Sequence, residues 1–590
     1  MIHFIVSPAD TRYLWLKGDD EFDEQHITEF TEHCNLIDPV CYLPSWGNRP
    51  KITQDFVFKY IQQSGKPVWY CSIGLWQEAY KFFRDNNYPY DGLQSLKPYL
   101  KNPIKHTFEE FKQIVDSWGL KYTPRPYQYE AAYNILCWKS SLSELATRAG
   151  KTLLVYIVFR YAMEYMGMKR ILMIVPAIQL VKQGFNDFSE YAEFFKTECV
   201  WGGGKLVESA NLTIGTFQSL ISFLDRKSKK YNPHFFDGYD CVCVDETHRA
   251  KAAQIKTIIT QPFMKNVKIK FGVTGTLPKP KTIDYYCVHA LLGAKIQEVT
   301  PKELMDGGYI SQIQINQVRL NYQDILKQQR IFIKCAEYTL SDFDTVEKIN
   351  RNGKKKQEKI KLENPEHQLM YQKTLPMAIQ LIKTKCQQKA KSIQEFYDLY
   401  IKELQPIISE SMGSNGLLIE RYMAHFMQER KQYLYDKILP MCDKNTLILA
   451  HHTEYINEIY NEILERFPDR IVLKITGSVD LKKREKIKQI MKENNNVILI
   501  ASYGTTSTGL TLPKLYYGIL FESFKSNIIN MQSLGRGLGL VEGKDKYTVY
   551  DIVDCFNPKK ISNKIYLQGL AKTRIYKEQQ YNYKIYNVNV

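Results

Sequence analysis

Apolar residues along this chain come in two rhythms. Short unbroken runs such as "RILMIVPA", "LTIGTFQSL", "DCVCVDE" and "IKFGVTG" recur between Tyr127 and about residue 320, separated by amphipathic helical patterns. A buried strand followed by a helix, repeated, predicts a parallel α/β sheet, because strands covered on both faces read as continuous apolar runs rather than alternating ones. The same rhythm returns late, in "NTLILAHH", "IVLKITG", "NVILIASY", "YGILFES" and "YTVYDIVD". The second half therefore predicts a second sheet of the same class.

Other segments break the rhythm. Up to about residue 100, aromatic-rich runs ("FIV", "YLWL", "KPVWYCSI") alternate with turn signals such as "WGNRP" before the helical pattern "GLWQEAYKFFRDNN", which predicts a small α+β module. A linker rich in Pro and Lys follows. Between roughly 325 and 430 the chain is rich in Lys, Gln and Glu with long helical periodicity, and its basic run "RNGKKKQEKIK" predicts a solvated loop or helix face. The tail carries one short helical pattern, "KIYLQGLAKTRIYKEQQY". At 590 residues the chain is too long for one core, and the expected domains are 1–100, 101–315, 316–430, 431–556 and 557–590.

Charge adds a partner class to this layout. Lys and Arg number 80 against 63 Asp and Glu, a formal +17, which favours nucleic acid first and an anionic membrane surface second, although basic chains also exist for solubility alone. The twelve cysteines form no CxxC pair, and Cys241 and Cys243 inside "CVCV" read as core hydrophobes, a pattern suited to a reducing cytoplasm. No run approaches the length of a membrane span, and "MIHFIVSPADTRY" lacks the regions of a signal peptide, so neither spanning nor secretion is expected.

Candidate chemistry sits at the ends of apolar runs. In "ATRAGKT", residues 146–152, Gly150 permits close backbone approach to phosphate at a helix N-terminus, Lys151 carries positive charge to the β- and γ-phosphates, and the Thr152 hydroxyl suits a magnesium ion. Thr147, Arg148 and Ala149 form the rest of the loop. The first glycine of GxxxxGK is absent, position 145 being Leu, so a coincidental surface loop is the competing reading. Downstream, "DCVCVDETH" puts Asp245 and Glu246 directly after a buried strand, at the edge where α/β sheets bind ligands. Magnesium keeps several waters, so the one carboxylate of Asp245 suffices to hold it, and Glu246 can orient or deprotonate an attacking water. Two acids capping the next helix are the bland alternative, weakened by the GKT upstream.

The stretches "RPYQ" (125–128), "TRAGKT" (147–152), "VDETH" (244–248), "TGT" (274–276), "ASYGTTSTGLTLP" (501–513) and "QSLGRG" (532–537) fall in the order of superfamily 2 helicase motifs, and the chain resembles that superfamily. Within it, "ASYGTTSTG", "LMDGGYIS" (304–311), "GSVD" (477–480) and the ending "YNYKIYNVNV" resemble the UvsW group of recombination and repair helicases of T-even phages. The resemblance implies an α/β fold of two RecA-like parallel-sheet lobes in tandem, with a small N-terminal α+β domain, a helical insertion and a short helical tail. It implies that Gln128 and Arg125 read or pack against adenine. It implies that His248, Thr274, Gly275 and Thr276 couple nucleotide state to movement between the lobes. Thr508 and Gly509 would sit where the second lobe meets nucleic acid and nucleotide, and Gln532 and Arg536 would serve the γ-phosphate. Nucleic acid is assigned by the same resemblance to Pro176 and Gln183 of "VPAIQLVKQ", Thr216 and Gln218 of "GTFQS", and Thr476, Gly477 and Ser478 of "TGSVD".

The implied activity uses ATP and magnesium to drive a DNA helicase or translocase on branched or duplex DNA, independent of sequence because such motors track the backbone. RNA–DNA hybrids are a second implied substrate, and a cytoplasmic monomer is expected. The alternatives are an ATP-binding clamp or annealing protein with impaired hydrolysis, and an RNA helicase. The clamp alternative rests on one position. The family pattern is QxxGRxxR, and "QSLGRGLGL" keeps Gln532, Gly535 and Arg536 but ends on Gly539. The absent arginine helps neutralise charge on a transferring phosphoryl group. Lys544 is a nearby cation that could reach in, without an arginine's planar fork.

Overall fold

Both expected parallel sheets are present, one in each of two units, Met1–Leu304 and Met305–Val590. The computed structural model describes residues 1–37, 53–62, 65–200, 210–232, 234–247, 252–341, 346–349, 355–358, 377, 379–412, 416–477, 481–506, 512, 514–522, 527–556 and 563–590.

In the first unit seven parallel strands lie in the order Thr197–Val200, Leu212–Thr216, Ile171–Val175, Cys241–Asp245, Ile269–Thr274, Ser140–Leu145 and Ala294–Val299. Every residue of Ile171–Val175 and Leu212–Thr216 is buried, as strands covered on both faces must be. The front module is a separate sheet, ordered Val57–Ile61, Pro67–Ser72, Tyr13–Gly18, Ile2–Val6 and Tyr90–Asp91, antiparallel except for its last pair. Its core is continuous with the first lobe. Tyr285 and Tyr286 of helix Ile283–Leu292 pack among Phe56, Trp69 and Leu75, and the Tyr285 hydroxyl donates to Glu78 at 3.0 Å. A Cβ on Gly74 would lie 2.3 Å from the His289 carbonyl oxygen, so only glycine permits this approach.

The second unit orders its strands Ile471–Ile475, Val497–Ser502, Thr446–Ala450, Tyr517–Leu520, Lys546–Cys555, Gln312–Asn321 and Asn582–Asn589, again all parallel. A boundary at residue 315 thus falls inside a strand of this sheet. The tail supplies helix Lys564–Glu578 and then an edge strand that the sequence reading leaves out. That strand is mostly exposed, so it carries no continuous apolar run to announce it. Helices Ile325–Ser341, Ile393–Met412 and Gly416–Phe426 of the insertion bring Phe332, Tyr400, Leu404 and Ile419 into the same core as Ile448, Ile498 and Ile519 of the sheet. Part of the basic run, Lys355–Glu358, is a strand paired with Val346–Ile349 rather than a helix face. No helix among the described residues is long and apolar enough to cross a membrane.

Two buried carboxylates stand on strand Lys546–Cys555, each met by a cation from a helix. The Arg430 guanidinium, fully buried on helix Gln428–Tyr433, donates to Asp554 at 2.9 Å, to the Tyr455 hydroxyl at 2.9 Å and to the Phe521 carbonyl. Lys572 of the tail helix pairs with Asp551, which also accepts from Tyr576 at 2.9 Å and Gln317 at 3.0 Å. Removing one member of such a pair leaves a charge without compensation in a dry site. Lys572→Ala should therefore lower the unfolding free energy by about 3–5 kcal/mol, and adding Asp551→Leu should recover most of that loss. Chemical denaturation of the full chain measures both, and a loss below about 1 kcal/mol for the single variant would remove the pair as a tie for the tail.

Candidate active site

A parallel sheet directs its strand C-termini, with the N-termini of the helices that follow, toward one edge. In the first unit strand Ser140–Leu145 leads into the loop at 146–150, and helix Lys151–Met166 starts at once. Gly150 is the N-cap at φ +74, and Arg148 is also left-handed at φ +75. The N–H groups of the helix's first turn have no partner within the helix, so together with the macrodipole they favour an anion. A left-handed arginine costs roughly 1–3 kcal/mol and persists only where its neighbours hold it.

Those neighbours come from "RPYQ". Gln128, only 2% exposed, spends its amide nitrogen on the loop. Its Nε2 donates to the carbonyls of Gly150 at 3.0 Å and Ala149 at 3.3 Å, while Oε1 accepts the Arg125 N–H at 2.8 Å. A Cβ on Gly150 would sit 2.4 Å from that nitrogen, so glycine serves both the left-handed φ and the approach of Gln128. The Tyr127 hydroxyl donates to the Ala149 carbonyl at 2.9 Å and accepts from the Arg125 guanidinium at 2.8 Å, which also donates to the Arg148 carbonyl at 3.2 Å. Arg125 and Gln128, expected at the adenine, are bound here to the loop backbone. Tyr127 is a third brace that sequence reasoning misses.

The acids lie beside the loop. Asp245 ends strand Cys241–Asp245, and Glu246 follows in the left-handed region at φ +51, its N–H donating to Asp245 Oδ1 at 2.8 Å. Glu246 Oε1 is 3.9 Å from Lys151 Nζ. Burial first, then the charge of Glu246, push the Asp245 carboxyl up to about 7 against the pull of Lys151. A half-buried carboxylate held that high gains from an arriving cation, and its hard oxygens suit magnesium. Thr152, the other expected ligand, is the second residue of the helix that Lys151 begins.

The adjacent strand, Ile269–Thr274, delivers the third motif. Thr274 is fully buried, and its hydroxyl donates to the Thr276 carbonyl at 3.1 Å and accepts the Thr276 N–H at 3.4 Å. A Cβ on Gly275 would lie 3.7 Å from Thr147 Oγ1 and 3.8 Å from Lys151 Nζ, so this turn sits against the phosphate loop. Glu144, on the strand before the loop, accepts the Leu277 N–H at 2.9 Å and ties the two motifs together. The signal for Glu144 is an acid inside an otherwise buried strand, "SSLSEL".

Pro176 and Thr216 occupy the same edge, at the ends of the paired strands Ile171–Val175 and Leu212–Thr216. Gln183 and Gln218 are exposed on the helices that follow. The Thr216 hydroxyl is buried and caps its own helix, accepting the Ser219 N–H at 3.2 Å. In the second unit Thr476 is buried and Gly477 exposed beyond strand Ile471–Ile475. Gln532 is buried on helix Asn527–Gly535, and Arg536 opens the short turn Arg536–Leu538. Lys544 does not extend outward: its ammonium donates to the carbonyls of Gly537 and, at 3.1 Å, Gly539. The Ser311 hydroxyl donates to the same Gly539 carbonyl at 3.0 Å. His248, Ser478, Thr508 and Gly509 lie outside the described residues.

Residues 121–279, which span the loop, the acids and the third motif, match the family model described as Type III restriction enzyme, res subunit. The ATP-dependent DNA helicase uvsW of Enterobacteria phage T4 is 25% identical over 502 residues, covering 82% of this chain and 81% of that protein. Among solved structures, that of T4 UvsW is 20% identical and covers 100% of this chain and 99% of its own, at a TM-score of 0.41. The Pyrococcus furiosus Hef helicase domain is 17% identical over 78% of this chain and 99% of its own, at 0.43. The ordered motifs, the res-subunit match across the loop and carboxylates, and a relative along 82% of the chain make this protein similar to the helicases of superfamily 2.

Proposed function

We propose that this ATP-dependent helicase works as a DNA translocase on forks and junctions, remodelling them by branch migration, with RNA–DNA hybrids as a second substrate. The observation that carries the reading is Lys151 placed 3.9 Å from Glu246 at a helix N-terminus, with Asp245 alongside. Gln128, Tyr127 and Arg125 hold the loop open for phosphate. Its helix-end N–H groups receive the anion, and Lys151 transfers its charge from Glu246 to the phosphates. Glu246, so released, accepts a proton from the attacking water. Magnesium, held by Asp245 and Thr152, would neutralise charge on the phosphates. The turn 274–276, resting on the loop, would pass the phosphate's presence to the rest of the chain. The +17 charge suits backbone tracking without base readout.

One observation favours the clamp with impaired hydrolysis as a second reading. Position 539 is Gly, and Lys544, the nearby cation, is committed to backbone carbonyls. Offering forked DNA, single-stranded DNA and RNA in parallel, and measuring phosphate release, separates the readings. Fork DNA should stimulate most; equal or greater stimulation by RNA selects an RNA helicase, and no stimulation at all selects the clamp.

Lys151→Ala should abolish ATP-dependent unwinding while retaining DNA binding at low salt, and Glu246→Gln should keep nucleotide binding with turnover down about 10²- to 10⁴-fold. Parental unwinding by the first variant, or parental turnover by the second, would remove the role given to that side chain. Gly539 has φ −61 and ψ 137, a conformation open to any residue, so Gly539→Arg meets no backbone strain. Because an arginine finger contributes ~10³–10⁵ in rate, this variant should raise DNA-stimulated turnover about tenfold or more with little change in ATP affinity. Unchanged or lower turnover would show that the missing arginine does not limit the motor.

A further inference from the structure

The first unit holds a second cationic site, at the edge of its sheet away from the phosphate loop. A cavity of 980 Å³ lies there, lined by Arg12 of the front module and by Lys105, Lys139, Lys265, Lys268 and Lys270. Its position follows from strand register. Lys270 and Ser140, both in its wall, pair at the start of strands whose far ends, Thr274 and Glu144, serve the loop. Tyr165 and Met166, at the end of the helix that Lys151 begins, also line it. A strand of this length spans ~20 Å and the helix ~24 Å, so roughly 20 Å separates the two sites.

The cavity's charge is only partly matched. Arg12 is taken by Asp10 at 2.6 Å, Lys139 donates to the Pro98 carbonyl at 2.8 Å, and Lys268 lies 3.8 Å from Asp240. Lys105, Lys265 and Lys270 make no ion pair among the described residues. Burial, then the charge of Arg12, push the half-buried Lys270 ammonium down to about 8. Cations converging in a concave wall repel one another until an anion enters. Of the three tyrosines in the wall, Tyr99 is 43% exposed, whereas Tyr165 stacks on Tyr161 with ring centroids 5.0 Å apart. Cations for phosphates beside an exposed aromatic ring for a base, here that of Tyr99, are the arrangement that holds a single nucleic-acid strand.

We propose that this cavity binds the phosphates of a single nucleic-acid strand, at a site separate from the ATP loop and from the strand ends at Pro176 and Thr216. The proposal rests on nucleic acid being the partner, and the test separates the two claims. Binding of a fluorescent oligo-dT to the full chain is measured without nucleotide over a range of salt. The double variant Lys105→Gln, Lys265→Gln changes two exposed side chains, and its folding is verified by thermal unfolding. Its affinity should fall about tenfold, and the slope of log affinity against log salt should shrink by about 1.4, at ~0.7 per lost phosphate contact on a single strand. Basal ATP turnover, roughly 20 Å away, should not change. Lys270→Gln should act in the same direction, and Tyr99→Ala should remove photocrosslinking of a halogenated oligonucleotide at that position. Parental affinity and slope in both lysine variants would overturn the cavity as a strand site while leaving the DNA-translocase reading intact. Competition by free dTMP as effective as that by oligo-dT would overturn it in favour of a mononucleotide pocket. Failure of the parent chain to bind the oligonucleotide at all would instead remove nucleic acid as the partner.

Discussion

Parallel strands can be joined only by crossovers, and from that constraint the rest of this structure follows. Each crossover returns the chain to the same end of the sheet, so every strand finishes at one edge and starts at the other. In the first unit this brings the loop after Ser140–Leu145, the acids after Cys241–Asp245 and the turn after Ile269–Thr274 onto three adjacent strands, although they are far apart in sequence. The opposite edge collects strand starts, which carry Lys139, Lys268 and Lys270 together with Asp240. One sheet thus gathers the loop and its acids at one edge and a lysine-rich set of strand starts at the other.

Placing residues at an edge does not fix their geometry. The loop contains a left-handed arginine, and the acids include a left-handed glutamate at φ +51, conformations that non-glycine residues avoid. Their strain is offset by hydrogen bonds from outside the loop. Gln128 alone satisfies two loop carbonyls and one N–H with a buried amide, which has no water to fall back on. The left-handed turn at Glu246 sends its N–H to Asp245, fixing the order in which the two carboxylates meet Lys151. Charge then does the rest: Asp245, crowded by Glu246 and half-buried, is the carboxylate with most to gain from a cation.

What the sequence makes legible is what is encoded locally. Continuous apolar runs announce the buried strands, and "AGKT" and "VDE" announce the loop and acids because each motif is a short strand-end segment. Long-range hydrogen bonds leave no such trace. Nothing in "RPYQ" says that Gln128 faces the loop backbone, nor that Glu144 reaches Leu277. The edge strand Asn582–Asn589 is hidden for a related reason, since its exposed residues are mostly polar and its pairing partner, Gln312–Asn321, lies much earlier in the chain. The front module reads as an independent unit because the tyrosines completing its core, Tyr285 and Tyr286, belong to a later helix.

Two of the three glycines of "GRGLG", Gly537 and Gly539, show how packing and chemistry come apart. A Cβ on Gly537 would lie 2.2 Å from the Tyr547 ring, and one on Gly518 would lie 2.1 Å from the Tyr547 hydroxyl, so that buried tyrosine dictates glycine at both positions. Gly539 is under no such demand from its backbone: its φ is negative, and its bonds to Ser311 and Lys544 run through the carbonyl, which any residue possesses. A side chain at 537 would disturb the core of the second lobe, whereas the lack of one at 539 takes no part in holding the fold together. The departure from the family pattern at 539 is therefore paired with a fully formed turn around Arg536, and the backbone there does not require glycine.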